Sequence, residues 1–326
     1  MKLFIQLYHP GAGYSPLMGM PENWSASAIP NPMAGVIPIE MTKAMIDSVV
    51  ESFATAAARV RDCGLDGIDI HASSGYLIHE FLSPALNHRN DEYGGSLENR
   101  MRFMFEVIDA VKSEVGDSVV VGVRIPNEDY VPGGLTADIN AEIAKAVDPV
   151  ADYISLHMGA YWRFHKLIAP SDEPLGVEMK ANAIIKPVIT KPTMVTGRIM
   201  TLDHASSILA SGEADMVSMV RALIADPNLV NKARAAGFVD AEYSGLPPDD
   251  ADSEDARIRV EIRATGKNID AKNGFYIAST YWLERTPFDH NLLIRELKAA
   301  QADRSRVTGG VLDPDRKIPG YGLRDL

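Results

Sequence analysis

LDGIDIHASSGYLIHEFLSPALNHRNDEYGGSLENR, residues 65–100, is the stretch that decides the fold of this chain. It opens with a short apolar run over residues 65–70 that contains β-branched side chains, which predicts a buried strand. His71 stands at the carboxyl end of that strand, and two serines, a glycine and Tyr76 follow on the exit loop. Functional groups of parallel α/β proteins collect at the carboxyl ends of strands, so the stretch predicts such a protein with its site at this loop.

The end of the same stretch begins an amphipathic helix. Apolar residues recur three or four apart from residue 97 to residue 115, with Ser96 placed to cap the start and Gly116 to end the helix. A second helix is predicted from about residue 42 to residue 63, where Gly64 follows as the stop. Helices with one-sided apolar stripes of this kind must cover a sheet.

Strand and helix patterns alternate through the first 236 residues, with the short connections of βα units. Six segments have the apolar character of strands: Leu3 to Tyr8, Leu65 to His71, Val119 to Ile125, Asp152 to His157, Pro192 to Thr196 and Asp215 to Met219. A closed barrel of this class has eight strands, so two units are missing from the pattern.

Composition limits the classes of function. The chain has 326 residues, 46% of them hydrophobic, which is enough for one large α/β domain and an appendage. The formal charge of −12 argues against nucleic acid or an anionic membrane as a partner, because both require a basic surface. No apolar run approaches the roughly 18 residues of a spanning helix, and the start lacks the pattern of a signal peptide, so we expect a cytoplasmic protein without membrane contact.

The spacing of cysteine and histidine argues against two further kinds of site. Cys63 is the only cysteine, which excludes an internal disulfide and a cysteine-ligated cluster. His71, His79 and His88 are spaced eight and nine residues apart, and this spacing matches no standard zinc pattern. We therefore expect no metal site.

Four segments together resemble the old yellow enzyme family of FMN-dependent oxidoreductases, especially its branch with dienoyl-CoA reductases and trimethylamine dehydrogenase. The segments are IQLYHPG (residues 5–11), the block of residues 71–100, VGVRI followed by EDYVPGGLT (within residues 121–136) and MVRALIADPNLVNKA (residues 219–233). The resemblance covers roughly residues 1–236 and implies a TIM-type (β/α)8 barrel.

The resemblance also locates the two missing units at the front, since residue 1 falls at what resembles the third strand of the family. We therefore expect an α/β fold whose (β/α)8-type barrel is incomplete at the N-terminus, with about six recognisable βα units. Exposed sheet edges are aggregation-prone unless they are covered. Three explanations remain open: a truncated gene model, replacement strands from the tail, or a partner chain or second copy that completes the barrel.

The composition changes after the barrel-like region. We expect residues 1–243 to form the flavin-oxidoreductase-like barrel, residues 244–256 an acidic linker rich in Pro and Asp, and residues 257–326 a small C-terminal α+β extension. Residues 256–265 and 274–282 have strand-like patterns, and residues 287–304 have a helix-like pattern. These segments could form a separate appendage or complete the barrel.

The resemblance implies a catalytic set on the exit loop. Reduction of an enone requires hydrogen-bond donors at the substrate carbonyl and a proton for the α-carbon. His71 and Ser74 fall at the positions of the donor pair, and Tyr76 falls at the position of the proton donor. Ser74 departs from the histidine or asparagine of the family, and its hydroxyl donates only one hydrogen bond. The structural alternative is that His71 caps the strand and Tyr76 packs under the loop.

The resemblance implies that Arg124 and Gln6 lie beside the pyrimidine edge of FMN. A fixed positive charge at that edge favours the anionic reduced ring. An arginine in so apolar a strand as VGVRI requires a partner, so a structural salt bridge is the alternative for Arg124. For Gln6 the alternative is a side chain satisfied by backbone groups.

A phosphate site is implied between the last two βα loops, which is the usual anion site of such barrels. Gly197 and Arg198 offer an amide-rich turn at the first loop, and Arg221 offers a cation at the second. Val220 stands where the family usually has glycine, next to the phosphate. Its branched side chain either crowds the phosphate or turns away from it.

The expected activity is FMN-dependent oxidoreduction of the old yellow enzyme type, in which NAD(P)H reduces the flavin and an activated alkene or related small molecule reoxidises it. NAD(P)H is inferred from the resemblance alone. Two rivals remain open: a cofactor-less degenerate barrel acting as a binding or structural subunit, and a non-redox isomerase or lyase that uses His71 and Tyr76. Ser74 and Val220 favour the rivals, while Arg124 favours the flavoenzyme.

Overall fold

The computed structural model describes residues 2–13, 22–32, 34, 36–169, 173–226 and 228–231, and the strand backbone at residues 307–308 and 311–312. The acidic linker predicted at residues 244–256, the two strands predicted at residues 256–265 and 274–282, and the helix predicted at residues 287–304 lie outside the described residues. The division of the chain into barrel, linker and extension stays a prediction.

Short strands alternate with helices through the described part of the chain. The strands are β1 (Phe4–Leu7), β2 (Trp24–Ser25), β3 (Ile39–Glu40), β4 (Gly67–His71), β5 (Val120–Pro126), β6 (Tyr153–His157), β7 (Thr193–Val195), β8 (Met216–Val217), β9 (Val307–Thr308) and β10 (Val311–Leu312). The helices are α1 (Lys43–Asp62), α2 (Leu77–Leu82), α3 (Leu97–Val115), α4 (Ala137–Val147), α5 (Phe164–Leu167), α6 (Met179–Ile185), α7 (Leu202–Ser211) and α8 (Val220–Ala225).

Six of these strands form one parallel sheet in the order β1-β4-β5-β6-β7-β8. They are the six strands predicted from the sequence, with ends that differ by at most two residues. The prediction of an α/β fold with a parallel sheet is therefore confirmed. The parallel pair β2-β3 and the antiparallel pair β9-β10 were not predicted, because strands of two residues carry no readable alternation.

Local signals explain the two long helices. Thr42 caps α1 by accepting a hydrogen bond from the Met45 N–H, and Ser96 caps α3 by accepting one from the Asn99 N–H at 3.2 Å. Gly116, with a φ of 54°, ends α3 as predicted. The apolar stripes of both helices are buried in one core together with the side chains of β4 and β5.

Burial is greatest at the centre of the sheet and least at its first strand. Every residue of β4 is buried, which fits a parallel sheet covered on both faces. On and beside β1, in contrast, large apolar side chains are 39–51% exposed: Leu3, Phe4, Ile5 and Tyr8. The best-packed part of the sheet is thus the part that carries the predicted site, at the carboxyl ends of β4, β5 and β6.

Two kinds of feature are absent from the described residues. None of the helices there is both long enough and apolar enough to cross a membrane. In the same part of the chain, no group of three or more His, Cys, Asp and Glu side chains is arranged to hold a metal ion.

Candidate active site

The register of the sheet brings the predicted site residues of two strands together. His71 on β4 pairs with Arg124 on β5, and Asp69 pairs with Gly122. Side chains two apart on a strand point to the same face, so Asp69 and His71 share one face of β4. The same face of β6 carries Tyr153, whose hydroxyl donates to the Asp69 carboxylate at 3.0 Å. This face is therefore the polar side of the central sheet.

His71 is held as a neutral hydrogen-bond donor. Its Nδ1 accepts a hydrogen bond from the Ser73 backbone N–H at 3.2 Å, so the neutral ring carries its proton on Nε2. Burial lowers the pKa of His71 well below its usual value, and the charge of Arg124 lowers it further. The ring can donate from Nε2 without carrying a charge.

Tyr76 lies against His71 on the exit loop. The two rings meet edge to face with centroids 4.8 Å apart. The Tyr76 hydroxyl is 2.8 Å from the hydroxyl of Tyr161, and burial raises the pKa of Tyr76. The structure thus brings the two predicted catalytic side chains together, with Tyr161 beside them.

Ser74 is buried in the same loop but is not aimed in the same way. Its backbone has a φ of 67°, a left-handed conformation that is uncommon for a serine. Its hydroxyl is 3.4 Å from the hydroxyl of Ser73, too far for a strong hydrogen bond. The backbone of Ser74 forms an isolated parallel bridge with Ala160. Ser74 therefore contributes to the shape of the loop. Of the two predicted hydrogen-bond donors, His71 is better placed than Ser74.

A cleft of about 220 Å³ opens at β5, the strand that pairs with β4. His71, Ser74 and Tyr76 are not among the described residues that line it. Five of the six predicted cofactor-binding residues line it: Arg124, Gly197, Arg198, Val220 and Arg221. These residues come from β5, from the loop after β7 and from the start of α8, and they are separated by up to almost a hundred positions in the sequence. The sixth residue, Gln6, does not line the cleft.

Arg124 carries an unpartnered donor at the cleft. Its Nε is buried and has no hydrogen-bond partner, and no carboxylate among the described residues lies within salt-bridge distance of its guanidinium. The structural salt bridge considered for this arginine is therefore absent from the described part of the chain. A buried N–H without an acceptor costs free energy, so the Nε–H of Arg124 is a donor whose hydrogen-bonding capacity the described residues do not use.

The side chain of Gln6 is held by a carboxylate on the neighbouring strand β4. Its side chain is exposed on β1, and its Nε2 donates to Asp69 Oδ2 at 2.6 Å. Asp69 also receives the Tyr153 hydroxyl, and burial raises the pKa of its carboxyl. The partner of Gln6 is therefore a carboxylate and not a backbone group. Asp69 had a sequence signal, since a carboxylate within an apolar strand requires partners.

Gly197 lines the cleft at a position where a side chain would not fit. Its φ is 118°, and a Cβ built there would lie 2.4 Å from Cγ of Glu178. Glu178 is buried, accepts the Met158 N–H at 2.9 Å and approaches His157 Nδ1 at 3.3 Å. Glu178 belongs to a segment without a clear periodic pattern, so sequence analysis did not find it.

Val220 is among the residues that line the cleft. It is the first residue of α8, and it is 63% exposed. Both alternatives for its side chain, crowding a phosphate or turning away from it, stay predictions. The two arginines contact the neighbouring backbone: Arg198 Nη1 donates to the Glu173 carbonyl, and Arg221 Nη1 donates to the Ala169 carbonyl at 2.7 Å.

We expect Gly197→Ala to lower the free energy of unfolding by about 2 kcal/mol, because the new methyl group meets Glu178 and the backbone is left-handed. Thermal and urea denaturation would measure the loss. Gly212→Ala is the matched control, since Gly212 has a φ of 74° but open space around its Cβ position. Equal losses in the two variants would show that contact with Glu178 has no effect.

Residues 1–237, most of the chain, match the model of one protein family, described as the NADH:flavin oxidoreductase / NADH oxidase family. The chain is a member of that family. Membership confirms the resemblance seen in the sequence. In this family of flavin oxidoreductases the cofactor is FMN and the reductant is NAD(P)H.

This family member is similar to several known proteins. It is 38% identical over 236 residues to a metal reductase of Desulforamulus reducens, covering 71% of this chain and 35% of that protein. It is 35% identical over 230 residues to an NADPH dehydrogenase of Clostridium acetobutylicum, covering 70% and 66% respectively. Among solved structures, histamine dehydrogenase from Rhizobium sp. 4-9 superposes with a TM-score of 0.66 at 27% identity, covering 72% of this chain and 34% of that chain.

This chain spans about a third of the length of the metal reductase and about two thirds of the length of the NADPH dehydrogenase. A solved complex of 2-naphthoyl-CoA reductase superposes on this chain with a TM-score of 0.65 at 28% identity. The match covers 72% of this chain and 38% of that chain. Residues 1–237, which match the family model, include the six-stranded sheet and the cleft.

Proposed function

We propose that this chain is an FMN-dependent oxidoreductase of the old yellow enzyme type, which uses NAD(P)H to reduce an activated alkene or a related small molecule. The observation that carries the proposal is the unpartnered, buried Nε of Arg124 in a cleft that also contains Arg198 and Arg221. His71 pairs with Arg124 in the register of β4 and β5, and Tyr76 packs against His71. A cationic cleft next to a neutral donor and a phenol suits an anionic cofactor and a carbonyl-bearing substrate.

The residues present fit FMN. Arg124 would face the pyrimidine edge of the ring, where its unpartnered N–H finds an acceptor. Gly197, Arg198 and Arg221 would hold the phosphate, because two cations and a turn without side-chain bulk line that part of the cleft. Bound FMN would supply hydride transfer, which no side chain can supply.

The protein side of the chemistry follows from two side chains. The Nε2–H of His71 would donate to the substrate carbonyl and stabilise the negative charge that develops there. Tyr76 would give its hydroxyl proton to the α-carbon. Ser74 would contribute little to carbonyl activation, because its hydroxyl faces Ser73. The burial of His71 excludes water from this contact and strengthens the hydrogen bond.

We further propose that the parallel sheet belongs to a (β/α)8-type barrel. The exposed apolar side chains on β1 and the 37% exposed Met216 on β8 are the surfaces that additional strands would cover in such a barrel. A partner chain or a second copy of this chain could supply the cover. Size-exclusion chromatography with light scattering would measure the oligomeric state.

The test of the cofactor assignment is a titration of the protein with FMN, followed by visible absorbance and by flavin fluorescence. We expect Arg124→Met to weaken FMN binding at least tenfold, since it removes a charge and a charge-assisted hydrogen bond. Arg124→Lys keeps the charge but loses the planar guanidinium group. Its affinity for FMN should therefore lie between that of the wild type and that of Arg124→Met. Folding stability should not fall in Arg124→Met, because Nε makes no hydrogen bond within the protein.

The control for this titration is Arg102→Met, on the outer helix α3, where the guanidinium binds the Glu92 carbonyl far from the cleft. Its FMN affinity should equal that of the wild type. If Arg124→Met also left the affinity unchanged, the cleft would not be the flavin site. A protein that takes up no FMN at all would refute the proposed function.

A further inference from the structure

Tyr161 meets Tyr76 at the candidate active site, although the proposed chemistry assigns it no role. The two hydroxyl oxygens are 2.8 Å apart, the distance of a good O–H···O hydrogen bond. Their rings meet edge to face with centroids 5.5 Å apart. Tyr161 begins the short 3-10 turn that follows β6, so it reaches Tyr76 from a separate βα unit.

The backbone is built to hold this pair. Ser74 and Ala160 form a parallel bridge between the loop after β4 and the loop after β6. Gly75 has a φ of 83°, and a Cβ there would lie 3.2 Å from the Tyr161 nitrogen and 2.9 Å from the Trp162 ring. Trp162 is buried in a small apolar cluster and anchors the turn. The two phenols therefore meet through fixed backbone and not through mobile side chains.

The surroundings of Tyr76 oppose its ionisation. Burial raises the pKa of Tyr76 most, and a negative charge on Tyr8, whose ring lies 5.0 Å away, would raise it further. Two groups act in the opposite direction: the hydroxyl of Tyr161 and the positive charge of Arg124. His71 faces the ring of Tyr76 as a neutral imidazole. Of these neighbours, Tyr161 is the one that hydrogen-bonds to the phenol oxygen directly.

We propose that Tyr161 is a positioning residue for proton delivery: its hydroxyl donates to the Tyr76 oxygen and stabilises the phenolate that remains when Tyr76 gives its proton to the substrate. The inference rests on the proposed function. Reduction of the alkene then adds one hydride, derived from NAD(P)H, and one proton, from the Tyr76 O–H. The negative charge that leaves the substrate rests on the Tyr76 oxygen until a proton from solvent replaces it.

The first test needs neither flavin nor substrate. Protein labelled with 13C at the ζ-carbon of tyrosine would be titrated by NMR, with the Tyr76 signal assigned by its loss in Tyr76→Phe. We expect Tyr76 to ionise at a higher pH in Tyr161→Phe than in the wild type, because the phenolate loses its donor. An unchanged titration midpoint would overturn the proposal. This readout stays valid if the protein binds no FMN, so failure of the proposed function is recognised separately.

The second test is a double-mutant cycle on the half-reaction in which the substrate is reduced, followed by stopped-flow absorbance. Tyr161→Phe should slow this half-reaction about tenfold, the value of one hydrogen bond to a charged oxygen. In the Tyr76→Phe background the same change should have no further effect. Equal slowing in both backgrounds would mean that Tyr161 acts independently of Tyr76 and would overturn the proposal. Tyr93→Phe, which removes a phenol bound to Glu106 in the core, is the matched control.

Discussion

Tyr76→Phe is expected to slow substrate reduction by about 100-fold or more, while reduction of the enzyme by NAD(P)H keeps its rate. The reason is that a positioned general acid contributes roughly 10²–10⁴-fold, and phenylalanine has no proton to give. The packing of the ring against His71 and Tyr8 does not involve the hydroxyl, so the variant should fold as the wild type does. Stopped-flow measurement of the two half-reactions separately would give both rates.

The two half-reactions make this prediction specific. Loss of the Tyr76 hydroxyl removes a proton that only the second half-reaction consumes, whereas damage to the cleft would slow both. Equal losses in both half-reactions would contradict the assignment of Tyr76 as the proton donor. His71→Asn would provide a comparison. Its amide can still donate a hydrogen bond to the substrate carbonyl, but the substitution changes the ring contact with Tyr76.

The strands of this protein were predictable because buried parallel strands appear in a sequence as continuous apolar runs that are bounded by turn residues at both ends. The two long helices were predictable for a related reason, since Ser96 and Gly116 combine a cap, a stop and a periodic stripe within a few residues. The site loop followed from its place after β4. These signals are local in the sequence. They can therefore be recognised without knowing which distant residues will come into contact.

The parts that were not predictable depend on contacts between distant residues. Tyr76 and Tyr161 are 85 positions apart, and only the register of β4, β5 and β6 brings their loops together. Gln6 and Asp69 are 63 positions apart, and the register of β1 and β4 brings them into contact, while the place of Gln6 at the flavin edge stays a prediction. The direction of Val220 depends on how α8 begins, which a single residue type does not determine.

Glu80, which lies within residues 65–100, couples the stability of the fold to pH. Its side chain lies on α2 and is completely buried, with no cation within salt-bridge distance among the described residues. One carboxyl oxygen accepts the Ala12 N–H at 2.8 Å, and the other pairs with the Ser25 hydroxyl at 2.9 Å. Burial raises the pKa of Glu80 to about 8. Glu80 therefore holds the turn after β1 as a neutral acid.

The pKa of Glu80 sets the direction of the pH dependence. An unfolded glutamate loses its proton near pH 4.5, while the folded protein keeps it up to about pH 8. The stabilising contribution is complete below pH 4.5, decreases as the pH rises, and is lost above about pH 8. At 1.36 kcal/mol per pKa unit, the whole contribution amounts to at most about 5 kcal/mol. His9 in the same turn has a pKa lowered to about 4 by burial, so it stays neutral over this range.

We expect Glu80→Gln to remove this pH dependence. The amide stays neutral at every pH, and it can accept from Ala12 and pair with Ser25 as the protonated acid does. Relative to the wild type, the free energy of unfolding of the variant should rise by about 1 kcal/mol per pH unit between pH 5 and pH 8, and then level off. Urea denaturation at a series of pH values would measure both curves. Glu51→Gln, on the exposed face of α1, controls for the loss of a carboxylate. Parallel curves for Glu80→Gln and the wild type would mean that Glu80 is already ionised in the folded protein, and the turn after β1 would then be held by a buried charge.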